Sequence, residues 1–277
     1  GDRITINSNV VVDVTDSRIV GTSGVNGTVV VTINQTSSTT WGTLKIKSGG
    51  TLALRGDSTC NGVFQVEGGG VLEFDSSLAA SPASTKYKLT LSNGGNAGVA
   101  RFVTANTSSG SRASVRSNAG GGNGYINSAN FRGYVDVDYI DFLRVGDSGN
   151  DAISITCNGT TAQKCLIRHA TFDACGRYGP GAMTVDVEVR LEYIRSTNSA
   201  HATSVMNTSC AATGSATRTI SHVSCDKAMI GTVDSWLIYQ MTGGGMSADA
   251  TPVHVTDGEQ GTDFGVPFKP LGFFHVC

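Results

Sequence analysis

The sequence is poor in charge and in long apolar runs. Only 15% of its 277 residues are charged, and the net charge is -2 with acidic and basic residues interspersed. This leaves neither a basic face for nucleic acid nor a polybasic segment for anionic lipid. No apolar run approaches the roughly 20 residues of a membrane-spanning helix. The composition therefore predicts no nucleic-acid partner and no membrane insertion.

Motifs of several common sites are also missing. The sequence has no Gly-x-Ser-x-Gly, no His-Glu-x-x-His and no dinucleotide fingerprint. Its seven cysteines have no zinc-type spacing, so we interpret most of them as small apolar core residues. The glycine run at 120–124 lacks the Gly-Lys-Ser/Thr ending of a phosphate loop, and we interpret residues 104–130 as a long turn.

A repeat of 20 residues is the clearest pattern that is present. The stretch from Gly42 to Leu54 alternates apolar and polar residues around a Gly pair, and the stretch from Gly62 to Phe74 does the same. Alternation predicts strands with one buried face, and Gly-Gly permits the positive φ of a sharp corner. A strand-and-turn repeat of this length is typical of a stacked solenoid. With 36 glycines and only 5 prolines, an all-β solenoid is the predicted fold class.

The N-terminal part carries a family resemblance. Gly-Asp-Arg-Ile-Thr-Ile at 1–6, the Val-rich runs at 10–14 and 28–33, and Gly42-Thr43-Leu44 with its echo resemble a G8-like module. Such modules precede right-handed parallel β-helices in secreted and phage-encoded proteins. The resemblance implies a G8-like β module over residues 1–95, including a strand at 87–91, and a right-handed parallel β-helix over 96–277. The apolar end at 273–277 predicts that a further coil or cap follows.

Four later segments can be overlaid as successive coils. The overlay places one interior position at Val137, Ile167, Val189 and Ile220, and another at Phe142, Phe172, Ile194 and Cys225. The spacings vary, as expected where insertions lie in turns. The same overlay places His169 and His222 inward, as core residues. A further coil is predicted to begin at 236–239.

Candidate catalytic residues come from the same overlay. It places Asp173, Arg195 and Asp226 in one outward column, with Leu143 below them. Stacked carboxylates in a β-helix lie at separations that glycoside hydrolysis uses, so this column predicts either a sugar-binding or proton-transferring site or an exposed ion-pair ladder. Asp138, Arg168 and Arg190 form a second column open to the same two interpretations.

No cofactor is predicted, and calcium is the one metal for which a pattern exists. Carboxylate oxygens suit calcium, and two acid-rich stretches offer them, without a fixed loop motif: Asp136, Asp138, Asp141, Asp147 and Asp151, and the loop at 257–263.

Three functions follow from the resemblance and the residues. The first is an extracellular, cell-surface or virion-associated scaffold or glycan-binding module of a larger adhesin or phage tail protein. The second is a polysaccharide lyase or glycoside hydrolase with a groove along the coils, using Asp173, Asp226 and Arg195. The third is a purely structural virion subunit. The motifs Asn-Thr-Asp, Asp-Asp and Gly-His-Gly of β-helical polygalacturonases are missing, which favours a non-catalytic role. The expected partners are a polysaccharide or cell-surface glycan and, for a tail protein, a homotrimer or neighbouring virion or adhesin segments.

Overall fold

The computed structural model describes residues 3–21, 29–37, 39–92, 100–128, 133–157, 164–183, 188–200, 204–207, 218–225, 228–230, 237–243, 255–256 and 263–264. All regular structure in these ranges is β. No helix within them is long and apolar enough to cross a membrane.

Short strands separated by turns make up this structure from its first coil to its last. The strands of the N-terminal part are β1 (Ile4–Ile6), β2 (Val11–Val14), β3 (Ser17–Val20), β4 (Val29–Ile33), β5 (Gln35–Ser37), β6 (Thr40–Trp41), β7 (Thr43–Ile46), β8 (Thr51–Leu54), β9 (Asp57–Cys60), β10 (Val63–Glu67), β11 (Val71–Phe74), β12 (Lys88–Leu91) and β13 (Ala100–Ala105). They continue with β14 (Ala113–Ser117), β15 (Tyr125–Ser128), β16 (Gly133–Leu143), β17 (Ile153–Cys157), β18 (Lys164–Asp173), β19 (Tyr178–Met183), β20 (Glu188–Thr197), β21 (Ser204–Asn207), β22 (Arg218–Cys225), β23 (Ala228–Ile230), β24 (Leu237–Gly243), β25 (Val255–Thr256) and β26 (Asp263–Phe264).

Two parallel sheets contain almost all of these strands. Sheet A has the order β1-β4-β9-β12-β15-β17-β19-β21-β23. Sheet B has the order β2-β7-β10-β13-β16-β14-β11-β8-β3 and continues from β16 through β18, β20, β22 and β24. The pairs β5–β6 and β25–β26 are separate antiparallel ribbons. The predicted strands at 28–33 and 87–91 and the predicted coil at 236–239 correspond to β4, β12 and β24.

Each coil of the chain has one strand position in sheet A and two strand positions in sheet B. Before β16 the two positions in sheet B are occupied by separate strands, such as β7 and β8. From β16 onward one long strand occupies both positions, because β16 pairs with β13 through residues 133–136 and with β14 through residues 140–143. We call the side of sheet B that contains β13 its first half and the side that contains β14 its second half. The fold is thus a parallel β solenoid, as the sequence predicted, and the structure shows three strand positions per coil.

The 20-residue repeat is confirmed in register. Leu44 pairs with Phe64, and Leu52 pairs with Leu72. Both corners between the two halves of sheet B contain a glycine of positive φ, +79° at Gly49 and +80° at Gly69. The Gly pairs therefore form the corners, as predicted. Sheet B continues across the predicted boundary between the two parts, because β10 pairs with β13; the G8-like module stays a prediction.

The interior of the solenoid is filled by stacked apolar side chains. Phe142 and Phe172 have parallel rings with centroids 4.6 Å apart, and the Tyr178 ring lies 4.1 Å from Phe172. Cys60, Cys165 and Cys175 are buried in the same core, which confirms the core assignment for these three cysteines. Burial raises the pKa of the Cys60 and Cys175 thiols to about 12.

One strand of the predicted overlay is wrong by two residues. Ile167 pairs with Leu191 rather than Val189, and Phe172 pairs with Ser196 rather than Ile194. The reason is that a polar residue occupies this interior position. Ser196 is only 3% exposed, and its hydroxyl bonds the Tyr178 hydroxyl at 3.1 Å. A two-residue shift preserves which side chains face inward.

The interpretation of residues 104–130 as one long turn is also wrong. Strands β14 and β15 lie within it and pair with β11 and β12. Small residues at inward positions, such as Ala113 and Ser117, weaken the apolar alternation from which a strand is recognised.

Ion pairs link residues 20 positions apart on adjacent coils. Lys47 Nζ lies 2.6 Å from Glu67 Oε1, and Arg55 Nε lies 2.8 Å from Asp75 Oδ2. Asp75 is buried, which by itself raises the pKa of its carboxyl, but hydrogen bonds from Ser77 and Arg55 outweigh burial and lower that pKa below its ordinary value. The ionised carboxylate is therefore the form that the fold stabilises.

This pair predicts an acid-sensitive contribution to stability. Because the folded-state pKa of Asp75 is lowered, its contribution is present above the unfolded pKa of about 4 and is lost as the pH falls through the folded value. Arg55→Ala leaves the carboxylate buried without its cation, so we expect a loss of about 3 kcal/mol at pH 7. We also expect the acid-unfolding midpoint to move to higher pH. Denaturant titrations from pH 7 to pH 2 measure both.

The exposed pair Arg18–Asp16, with side chains 65% and 57% exposed, supplies the control. Arg18→Ala is expected to change stability by less than about 1 kcal/mol. Equal effects of the two substitutions would contradict the role assigned to the buried pair.

Candidate functional site

Three aromatic side chains form a column at the later corners of sheet B. Tyr139, His169 and Tyr193 have φ of 45°, 44° and 54°, a conformation that residues other than glycine seldom adopt. The rings stack, with centroids 4.3 Å apart for Tyr139–His169 and 4.7 Å apart for His169–Tyr193. His222 takes the equivalent backbone position in β22, between the pairs Glu192–Ser221 and Ile194–Val223.

The placement of His169 in the core is wrong. Its neighbours Ile167 and Ala170 face inward and are buried, whereas the His169 side chain is 34% exposed. The left-handed residue interrupts the two-residue alternation, so Arg168 and His169 both lie on the outside. In β20 the buried residue Leu191 is in register with Ile167 and not with His169.

Charged groups surround this column. His169 Nδ1 lies 2.8 Å from Asp138 Oδ1, and Arg168 lies 2.7 Å from Asp136 Oδ1 and 4.0 Å from Asp138 Oδ2. We call this group the corner cluster; its members are Asp136, Asp138, Tyr139, Arg168, His169 and Tyr193.

A neighbouring arginine fixes the backbone of the corner cluster. Arg112 donates hydrogen bonds to the carbonyls of Ile140 (3.0 Å) and His169 (2.7 Å), and its Nε pairs with Asp141 at 2.9 Å. One guanidinium thus satisfies carbonyls on two successive coils. These hydrogen bonds stabilise the backbone of the corner cluster, where residues other than glycine occupy the left-handed positions.

The corner cluster presents an oriented imidazole next to charged groups. An imidazole held through Nδ1 by a carboxylate has a fixed ring orientation, and its Nε2 is then the atom that can meet a ligand. The adjacent Arg168 supplies positive charge, and two phenols supply donor and acceptor oxygens. These groups suit a polar, oxygen-rich ligand.

The predicted catalytic column is not assembled as the overlay placed it. Asp173 lies above Leu143, as predicted, but pairs with Thr197, whereas Arg195 pairs with Thr171 and Ser224. Asp173 accepts hydrogen bonds from Asn198 (2.8 Å) and Thr197 (2.9 Å), which lower the pKa of its carboxyl. Asp226 lies outside the described residues. Catalysis by these three residues stays a prediction.

The second predicted column is wrong in one member. Asp138 and Arg168 pair as expected, but Arg168 is followed by Glu192 rather than Arg190. This is the same two-residue error.

The acidic residues considered for calcium are engaged with cations. Asp147 pairs with Lys86, and Asp151 lies 2.7 Å from Arg177. The other three acids, Asp136, Asp138 and Asp141, belong to the pairs described above. Within the described ranges no three His, Cys, Asp or Glu side chains converge in a way that would hold a metal ion. Residues 257–262 of the second acidic stretch lie outside the described residues.

A second surface, on sheet A, was missed from the sequence. Two columns of its outward residues are uncharged, and we call these two columns the threonine–asparagine face. The first column is Thr5, Thr32, Thr59, Thr90, Asn127 and Ser154. The second is Asn7, Asn34, Asn61 and Ser92, whose backbone nitrogens follow the same ladder from Asn34 onward.

A short recurring signal marks this face in the sequence. Thr-Ile-Asn occurs at 5–7 and 32–34, and Thr-Cys-Asn occurs at 59–61. The three copies are 27 residues apart, and in the structure Asn34 Nδ2 donates to Asn7 Oδ1 at 3.2 Å. Three residues in 27 form a weaker pattern than the 13-residue stretches of sheet B, which is why the 20-residue repeat dominates the sequence.

Comparison with known proteins adds no further constraint. No protein-family model, curated protein or solved structure matches the chain. The function must therefore be argued from the two surfaces themselves.

Proposed function

We propose that this protein is a right-handed parallel β-helix, with a G8-like module at its N-terminus, that binds glycans as a scaffold in a larger extracellular, cell-surface or virion-associated protein. The observation that supports it most is the repetition of outward side chains at every coil, about 4.8 Å apart. A ligand with its own repeat along one direction matches such columns, and a polysaccharide is that kind of ligand. The right hand is supported by the strong preference of parallel crossovers.

A catalytic role is the second candidate, because one specific contact favours it. The 2.8 Å contact between His169 and Asp138 provides a positioned acid or base beside Arg168. Those are the elements of proton transfer to or from a sugar. The earlier candidates Asp173 and Arg195 lie one strand position beyond the corner cluster, on the second half of sheet B.

One screen tests both candidates. The purified chain is incubated with neutral and acidic polysaccharides, while pull-down measures binding and new reducing ends and unsaturated-sugar absorbance measure cleavage. We expect binding of at least one glycan without cleavage. Absence of binding across the panel, with a β-rich circular dichroism spectrum intact, would contradict the proposed function.

Cleavage would move the protein to the second candidate and assign its residues. Loss of cleavage in His169→Gln, with cleavage retained in Asp173→Asn, would place the chemistry at the corner cluster. The reverse result would place it at Asp173. Both variants change outward side chains, so a normal unfolding curve serves as the control for folding.

A further inference from the structure

We propose that the threonine–asparagine face of sheet A binds an extended, uncharged polysaccharide whose chain runs along the solenoid axis; this inference rests on the glycan-binding function above and specifies its ligand and its surface.

The geometry of the face is that of a regular array of hydroxyl and amide groups. Thr5, Thr32, Thr59 and Thr90 occupy one register position in four successive parallel strands. Their side chains are β-branched and so have restricted χ1 rotation. Rigid strands and restricted rotamers hold the hydroxyls at repeated positions, which reduces the entropy lost when a ligand binds.

These hydroxyls are available to a ligand. Within the described part of the chain, no hydrogen bond engages the hydroxyls of Thr32, Thr59 and Thr90, and the three residues are half-buried rather than covered. A hydroxyl both donates and accepts, so each threonine can meet either a donor or an acceptor of the ligand. Sugar hydroxyls need that mixture. The threonine methyl groups add apolar contact area for the C–H faces of the sugar rings.

The distribution of charge selects an uncharged ligand. In the nine strands of sheet A only Asp57 and Lys88 are charged, and they lie 3.9 Å apart, at the first residue of their strands. Within the strands of sheet B, in contrast, Arg116, Lys164 and Arg168 form ion pairs. An acidic glycan gains most where cations can meet its carboxylates. Beside the threonine–asparagine face the strands offer it one cation, Lys88, which already lies 3.9 Å from Asp57, whereas a neutral glycan needs none.

The direction of the columns sets the orientation of the ligand. The columns cross the strands and follow the coil-to-coil direction, so equivalent groups recur about every 4.8 Å. An extended glycan repeats its hydroxyls once per sugar at a similar distance. Each coil can thus meet one sugar, and many weak contacts add along the chain. A ligand lying along a strand would lie on a single coil and meet only one residue of each column.

The test is binding of the full chain to cellulose, mannan and chitin particles, with polygalacturonate and alginate as acidic glycans. The variant Thr32→Val/Thr59→Val/Thr90→Val removes three hydroxyls and keeps the β-branched shape. We expect it to bind neutral particles roughly tenfold more weakly or worse, since each lost hydrogen bond weakens binding several-fold. Thr59→Ser, which keeps the hydroxyl, is expected to bind like the original protein.

The matched control is Thr51→Val, which removes a half-buried outward hydroxyl from sheet B and should leave binding unchanged. Binding of acidic glycans alone, or unchanged binding by the triple variant, would overturn this inference while the glycan-binding function stands. A wild-type dimer that the triple variant dissociates would show that a second copy covers the face, and would also overturn it. Absence of all glycan binding would refute the proposed function itself. If the triple variant fails to fold, the single variant Thr59→Val gives the same comparison.

Discussion

Phe172→Ala is expected to lower the free energy of unfolding by about 3 to 5 kcal/mol. The Phe172 ring is 1% exposed and lies between the rings of Phe142 and Tyr178, at 4.6 Å and 4.1 Å. Its removal leaves a cavity in the middle of the solenoid, and neighbouring coils held by sheet hydrogen bonds cannot close it. Denaturant unfolding followed by circular dichroism and by tyrosine fluorescence measures the loss.

Leu143→Ala provides the comparison for this prediction. Leu143 pairs with Asp173 on the same half of sheet B but faces outward and is half-buried. Its truncation is expected to cost less than about 1.5 kcal/mol, because only part of the side chain leaves a protein environment. Similar losses for the two variants would show that the stack does not stabilise the interior. Two non-coincident transitions would indicate that the coils unfold in separate groups, as solenoids can.

Gly124→Ala is the second substitution with a large expected effect. A Cβ at Gly124 would lie 2.2 Å from Cγ of Phe74, a ring that is 1% exposed. Neither the buried ring nor the strand that follows can move aside freely, so we expect a loss of about 3 kcal/mol or more. The thermal unfolding midpoint should fall by several degrees.

Gly110→Ala is the matched control, because a Cβ there has no heavy atom within 4 Å. It is expected to change stability by less than about 0.5 kcal/mol. Replacing the obstructing ring by a smaller side chain should relieve part of the clash. The loss of stability in Gly124→Ala/Phe74→Leu is therefore expected to be smaller than the sum of the losses in the two single variants. Strict additivity would contradict the clash.

The parts of the fold that were predictable are those with short, uniform turns. Leu44 pairs with Phe64 and Leu52 pairs with Leu72, and both spacings are 20 residues. The alternation of apolar and polar residues is therefore enough to align these coils. Later coils have turns of different lengths, and alignment there depends on which residues are apolar. Ser196 fills an interior position through a hydrogen bond rather than through apolar contact, which no hydropathy pattern reveals.

The candidate site was less predictable than the fold for a conformational reason. Alternation assigns His169 to the interior only if the strand is continuous, but φ of 44° at that residue turns the chain and exposes its side chain. A left-handed residue other than glycine has no reliable sequence signature. The pairing of His169 with Asp138 follows from that turn. The column of Asp173 and Arg195 depended on the misaligned strand β20 and was displaced with it.

The change from glycine corners to one-residue corners alters what the solenoid can display. At Gly49 and Gly69 the left-handed residue itself has no side chain to present. At Tyr139, His169 and Tyr193 each coil bends at a single residue whose side chain stands outside, and the residue after it returns to the core. These positions therefore form a row in which chemical identity is independent of interior packing. The left-handed conformation costs about 1 to 2 kcal/mol per residue and is least favourable for β-branched residues, so other side chains can be exchanged along this row without a change in register.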